Sequence, residues 1–127
     1  MALGAFSVSL TVKDIAASRA FYETLGFTAF TQTQDQGWLI LKDGDAIIGL
    51  FQGMFDKNML TLNPGWDQNA QPVEGFEDVR AMKDRLEAAG LEIVSPSGLD
   101  GDGVGSFTVI DPDGNPVLID QHVPKPG

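Results

Sequence analysis

Few residues of this chain could do chemistry, and the clearest is His122, its only histidine. An imidazole is the one side chain whose ordinary pKa suits proton transfer near neutrality. Asp120 stands two positions earlier, and on a strand that is one repeat of the same face, so its carboxylate could orient the ring. A solvated residue near the C-terminal end is the other reading of the same histidine. Ser7 and Ser9 offer hydroxyls, but no spacing joins them to His122 and a carboxylate as a nucleophilic set. Asp100 and Asp102 lie in Ser97-Gly-Leu-Asp-Gly-Asp-Gly-Val-Gly105. A calcium loop needs a downstream glutamate that this run lacks, and a phosphate-cradling loop needs a following lysine and helix. It reads as a surface loop.

The elements that would position these groups follow from the pattern. Ala5 to Val12 alternates strictly, with Val8, Leu10 and Val12 on one face and Ser7, Ser9 and Thr11 on the other, as a half-buried strand does. The hydroxyl face suits either a concave surface that receives something or a solvated exterior. Asp14 is placed as a helix N-cap and Gly26 as the residue that ends the helix. Between them Ala17, Ala20, Phe21, Thr24 and Leu25 form a stripe expected to face the core. Strands are predicted at Phe27 to Thr33, Trp38 to Leu41 and Ala46 to Gln52.

The second half repeats the first. Phe76-Glu-Asp78-Val79 matches Val12-Lys-Asp14-Ile15 and Ala89-Gly90 matches Leu25-Gly26, both at an offset of 64. Val79, Met82, Leu86 and Ala89 form the second apolar stripe. Near the end, Asp111-Pro-Asp-Gly114 is a turn in which Pro112 pre-sets φ and Gly114 supplies a positive one. It joins Ser106–Ile110 to Val117–Ile119 as a hairpin. The earlier Asp-Gly turn at Asp43-Gly44 lies 70 residues upstream, which implies a six-residue insertion, placed most simply in the glycine-rich loop. The expectation is α+β: tandem βαβββ modules forming a curved, cup-shaped mixed sheet with helices on its outer face. Residues 5–52 make one module, 71–123 the other, and 53–70 a connection unusually apolar for its kind. That connection reads as a pocket wall or as packing against the core or a dimer partner.

At 127 residues, 43% hydrophobic and 20% charged, the chain has the length and composition of one globular domain. A formal net charge of −10 argues against a nucleic-acid partner, since no basic stripe neutralises phosphates. No apolar run reaches the roughly 18 residues of a spanning helix, so no membrane partner is expected. The opening Met-Ala-Leu-Gly lacks a basic n-region, so no signal peptide is expected. The absence of cysteine excludes disulfides and fits a cytoplasmic location.

The two βαβββ copies, Val12-Lys-Asp14 leading into Ser18-Arg-Ala-Phe21-Tyr22-Glu-Thr-Leu25-Gly26-Phe27, and Asp111-Pro-Asp-Gly-Asn115 resemble the vicinal oxygen chelate superfamily. It holds glyoxalase I, extradiol dioxygenases, fosfomycin-resistance enzymes and bleomycin-resistance proteins. The resemblance implies a divalent metal held by side chains from four strands. The positions it points to are Ser7, Gly49, Gln71 and Leu118, where the metal enzymes carry histidine, glutamine or glutamate. Of these only Gln71 could ligate.

The resemblance therefore implies a member without the usual metal site, resembling those that sequester a drug in a homodimer cleft. Its ligand would lie in a concave pocket lined by Ser7, Ser9, Thr11, Trp38, Gly49, Phe51, Met54, Trp66, Gln71, Val73 and Leu118, with Phe55 a further wall. Aromatic walls with few polar groups are what small-molecule pockets share. No cofactor is expected on this reading. The alternative is a metal-dependent lyase, isomerase or dioxygenase with a shifted ligand set drawn from Asp67, Gln71, Glu74, Asp120 and His122. Asp120 and His122 are the candidate catalytic pair.

Overall fold

The computed structural model describes residues 3–126. The chain is α+β and divides into two compact units, Ser7–Met59 and a second formed by residues 3–6 with 60–126. No helix among the described residues is long and apolar enough to cross a membrane.

The first unit takes most of β1 (Ala5–Val12), then α1 (Ile15–Leu25), β2 (Thr28–Ala29), a 3-10 turn at Gln34–Gln36, β3 (Trp38–Asp43) and β4 (Ala46–Gln52). Its strands run in the order β2-β3-β4-β1, with β1 parallel to β4 and the other neighbours antiparallel. Leu39, Leu41 and Leu50 are fully buried, and Ile15, Ile48, Val8, Leu10, Val12, Tyr22 and Phe27 pack around them. The predicted alternation of β1 thus places its valines and leucine on the helix side. The second predicted strand shrinks to Thr28–Ala29.

Asp14 caps α1 as expected, its Oδ1 accepting from the N–H groups of Ala16 and Ala17 at 3.1 and 3.2 Å, and Gly26 ends it with φ +118°. The expected core stripe does not face the core. Ala17, Ala20, Phe21, Thr24 and Leu25 are exposed, Phe21 by 61% and Leu25 by 63%. Ile15 and Tyr22, seven positions apart and so on one face, carry the packing instead. At its start the Ile15 N–H donates to Gln52 Oε1 at 2.8 Å, fastening the first turn to the end of β4.

The second unit holds β5 (Met59–Asn63, from Leu60 on), α2 (Val79–Ala88), β6 (Val94–Ser97), β7 (Gly105–Ile110) and β8 (Pro116–Gln121). Its strand order, β6-β7-β8-β5, with β5 parallel to β8 and the rest antiparallel, repeats that of the first unit. Val79, Met82, Leu62, Phe107 and Ile119 are its buried core, with Leu86 packed alongside; Ala89 is exposed at the helix end. The hairpin turn forms as the sequence predicts. Asp111 Oδ1 accepts from the N–H of Asp113 at 2.9 Å and of Asn115 at 2.8 Å, and Gly114 has φ +91°.

One expected boundary differs. The first strand of the repeat is β5, inside the stretch read as a connection, and not at residue 71. In register, Ser9 lies beside Gly49 and Thr61 beside Leu118, so β1 and β5 are offset by 52 (61 − 9). The helix caps Asp14 and Asp78 are offset by 64, and the last strands by 69 (118 − 49). Twelve extra residues (64 − 52) therefore separate β5 from α2. Caps conserve spacing within the helix, whereas the length of a surface loop is nearly free.

Gln121 performs on α2 what Gln52 performs on α1, 69 positions earlier. Its Oε1 accepts from the Val79 N–H at 2.7 Å, while its Nε2 donates to Asp78 Oδ1 at 2.8 Å and to the Val123 carbonyl at 3.1 Å. Gln121 is fully buried and Gln52 is exposed. Burial pushes the Asp78 carboxyl upward, but the hydrogen bonds from Gln121 and Arg80 outweigh it and hold the pKa below its ordinary value. Replacing Gln121 by leucine leaves a buried N–H and a buried carboxylate short of partners, a loss of about 1–3 kcal/mol. Gln52→Leu lets water substitute and should lose under about 1 kcal/mol. Urea unfolding of both variants tests the contrast, and equal losses would contradict it.

Candidate functional site

In each unit the strands have one face on the helix and one turned away, and the groups that could act lie on the latter. In the first unit alternation places Ser7, Ser9 and Thr11 of β1, Trp38 and Ile40 of β3, and Gly49 and Phe51 of β4 on that face. Ser9 pairs with Gly49, Gly49 with Ile40, and Phe51 lies between Thr11 and Trp38. Gly49 is buried, and a Cβ there would stand 2.5 Å from Phe51 Cε2 and 3.2 Å from Ile40 Cδ1. The Phe51 ring therefore leans over the glycine and fills the position a side chain would use. Beyond β4 the Phe55 ring lies 5.2 Å from that of Phe51, and its carbonyl accepts from Thr11 Oγ1 at 2.9 Å. Met54 is 50% exposed at the edge of this face. The structure thus brings together Ser7, Ser9, Thr11, Trp38, Gly49 and Phe51, with Met54 and Phe55 beside them.

In the second unit Val117, Ile119 and Gln121 face α2, so Leu118, Asp120 and His122 fall on the opposite face. Thr61 and Thr108 flank Leu118, and Ser106 pairs with Asp120. His122 Nε2 lies 3.1 Å from Asp120 Oδ2, with the two side chains 45% and 31% exposed. The hydrogen bond to Asp120, aided by its negative charge and opposed by desolvation, raises the His122 pKa above the ordinary 6.5. The Trp66 indole stacks on the imidazole, centroids 4.7 Å apart and planes within 19°.

Trp66 belongs to the twelve-residue extension. The segment doubles back on itself: Trp66 bridges to Pro72, the Val73 N–H donates to the Gly65 carbonyl at 2.9 Å, and the Asp67 N–H to that of Gln71 at 3.0 Å. Gly65 adopts φ +90°, and a Cβ there would come within 2.3 Å of Val123 Cγ2. Only glycine lets this loop close on the residue after His122, and that closure brings Trp66 over the ring. Gln71 and Val73 are exposed on the loop and are not on β5, where the residue beside Leu118 is Thr61. The constant offset that pointed to Gln71 is broken by the extension. A contact between residues 56 apart carries no periodicity, so neither the stack nor the role of Gln121 is signalled by local pattern.

Residues 4–119 match the Glyoxalase/Bleomycin resistance protein/Dioxygenase superfamily. The chain belongs to that superfamily. No protein of curated function matches it. Among solved structures, it is similar to a glyoxalase/bleomycin resistance protein/dioxygenase superfamily member from Vibrio splendidus 12B01, at 16% identity and TM-score 0.63, covering 91% of this chain and 97% of that one. Methylmalonyl-CoA epimerase from Mycobacterium tuberculosis matches at 16% identity and TM-score 0.62, covering 98% and 93%. The Mn(II)-bound glyoxalase from Novosphingobium aromaticivorans matches at 24% identity and TM-score 0.56; 94% of this chain aligns with 38% of that one. At these identities the likeness is one of fold.

The superfamily implies a divalent metal, and the residues here do not fit one. Ser7, Gly49, Thr61 and Leu118 supply no carboxylate, imidazole or thiolate, the donors such an ion needs. Among the described residues no three histidine, aspartate or glutamate side chains converge as ligands. In the alternative set, Asp67 Oδ1 is turned to its own loop, accepting from the N–H of Asn69 at 2.8 Å and of Gln71 at 3.1 Å, and Glu74 is exposed. Only Asp120 and His122 meet.

The pair makes stability depend on pH in a definite direction. A raised folded-state pKa means that protonated His122 stabilises the fold fully below its unfolded value near 6.5, and that this contribution fades as pH rises through the folded value. The thermal midpoint of Asp120→Asn should therefore lag wild type most below pH 6.5 and converge with it at higher pH. His122 is the sole imidazole, so NMR titration of its ring protons reads the same effect without ambiguity; an unchanged titration midpoint in the variant would refute the role of Asp120.

Proposed function

We infer that this protein binds a small, partly aromatic molecule in the manner of the glyoxalase/bleomycin-resistance group, on the first unit's sheet face and without the superfamily's usual metal site. The observation that carries the reading is Gly49 lying under Phe51: a position that serves the metal enzymes as a ligand is here a floor for an aromatic ring. Around it stand hydroxyls from Ser7, Ser9 and Thr11 and the indole of Trp38. Alternation also puts Lys42, at the far end of β3, on that face. Large aromatic surfaces with one or two donors favour flat, amphipathic ligands held by stacking and a few hydrogen bonds. On this reading the protein is cytoplasmic, needs no cofactor, and works as a homodimer like the drug-sequestering members it resembles.

A thermal-shift screen over planar antibiotics, thiol conjugates and divalent metals tests this. A ligand at one hundred times its Kd raises stability by about 2.7 kcal/mol, which for a domain this size is a shift of several degrees. The hit is expected among the flat organic compounds, with Trp38→Ala weakening it at least about tenfold through loss of the stacking face. Calorimetry with Mn2+, Zn2+ and Ni2+ should show no stoichiometric site. A tight metal site, or an organic hit indifferent to Trp38, would overturn the reading.

A further inference from the structure

We propose that Trp66, Asp120 and His122 form a second site, on the second unit, where His122 takes a proton from a flat ligand bearing a weakly acidic hydroxyl and holds the resulting anion. The imidazole edge facing Asp120 is Nε2, and an ionised carboxylate can only accept. The neutral ring therefore carries its hydrogen on Nε2, and Nδ1 presents a lone pair. Among the described residues nothing hydrogen-bonds to Nδ1, and 45% of the side chain is exposed.

Three further features make this edge a site. Trp66 covers one flat side of the imidazole, so approach is left to the Nδ1 edge and the other side, and the indole offers a large stacking face to a planar ligand. The Asn63 side chain donates to the Asp120 carbonyl at 2.8 Å, holding the strand that carries the pair. Leu118 and the hydroxyl-bearing Thr108 and Ser106 share the sheet face below His122 and Asp120, giving an apolar residue with polar neighbours.

The step balances without another reactant. The ligand O–H bond breaks, Nδ1–H forms, the electron pair stays on the ligand oxygen, and the imidazolium lies between that anion and the Asp120 carboxylate. An ion pair hydrogen-bonded through N–H is about twice as strong as its neutral counterpart, so the transfer favours binding. His122 is the group that touches the ligand; Asp120 positions it and sets the tautomer.

The probe is 4-nitrophenol, whose absorbance reports its own ionisation. Bound to wild-type protein it should ionise at a pH about one unit lower than when free, a tenfold shift in its equilibrium. His122→Gln, checked as folded by circular dichroism, should abolish the shift. Asp120→Asn should move the pH profile of the shift, and 15N NMR of the wild-type ring should show the Nε2–H tautomer. A shift that survives in His122→Gln, no shift in wild type, or an Nδ1–H tautomer would each overturn the proposal. Trp38→Ala separates this site from the other face: it should leave the shift intact, whereas a shift lost in Trp38→Ala but kept in His122→Gln would assign the probe to the first unit and refute the second site.

Discussion

A hydrogen bond from the end of the last strand to the start of the helix recurs in both halves of this protein. In each, a glutamine side chain, Gln52 or Gln121, accepts from the first helical N–H, that of Ile15 or Val79. The first N–H groups of a helix have no partner within it, and the aspartate N-caps Asp14 and Asp78 satisfy only those that follow. The glutamine serves the first of them and fastens helix to strand. Because side chains alternate along a strand, fixing the glutamine inward fixes its neighbours outward. Asp120 and His122 face away from α2 because Gln121, between them, is held against it.

The same frame shows how the two copies diverge. At the 69-residue offset that relates the glutamines, Phe51 corresponds to Asp120, Gly49 to Leu118 and Gly53 to His122. The first copy places an aromatic ring where the second places a carboxylate, and a glycine where the second places the imidazole. One backbone arrangement thus presents an aromatic ring beside a glycine and, in its duplicate, an ionisable pair. Trp66 comes from a segment with no counterpart in the first copy, so the second site depends on a loop insertion as well as on substitutions along a strand.

Much of this was legible in the sequence because it is local. Strand alternation at Val8, Leu10 and Val12, the caps Asp14 and Gly26, and the Asp111–Asn115 turn each involve neighbours a few positions apart, and each forms where the pattern places it. The superfamily was legible for the same reason, as the duplicated cap spacing is local twice over. What escaped was set by distance. Two stripes on α1 have helical spacing, and the one that packs does so against strand residues remote in sequence. The start of β5 was misplaced because a twelve-residue loop intervened, and loop length leaves no periodic trace. The aromatic face was readable as a set of residue types, but the ring of Phe51 lying over Gly49 is a matter of packing.

The loss of the superfamily's ligands has a consequence for the charge of the site. A divalent ion offsets the negative charge of the carboxylates that hold it and of an anionic substrate. Here Ser7, Gly49, Thr61 and Leu118 carry no charge, so an aromatic ring lies over Gly49 without desolvating a carboxylate at those positions. In a chain of net charge −10, the one place where a carboxylate does occupy the outward face of a last strand is Asp120, and it is there that a histidine is held with a raised pKa beside it. Protonation supplies locally, and reversibly, the positive charge that a metal would supply permanently. On the last strands, the first outward face thus carries no carboxylate, and the second pairs its carboxylate with an imidazole.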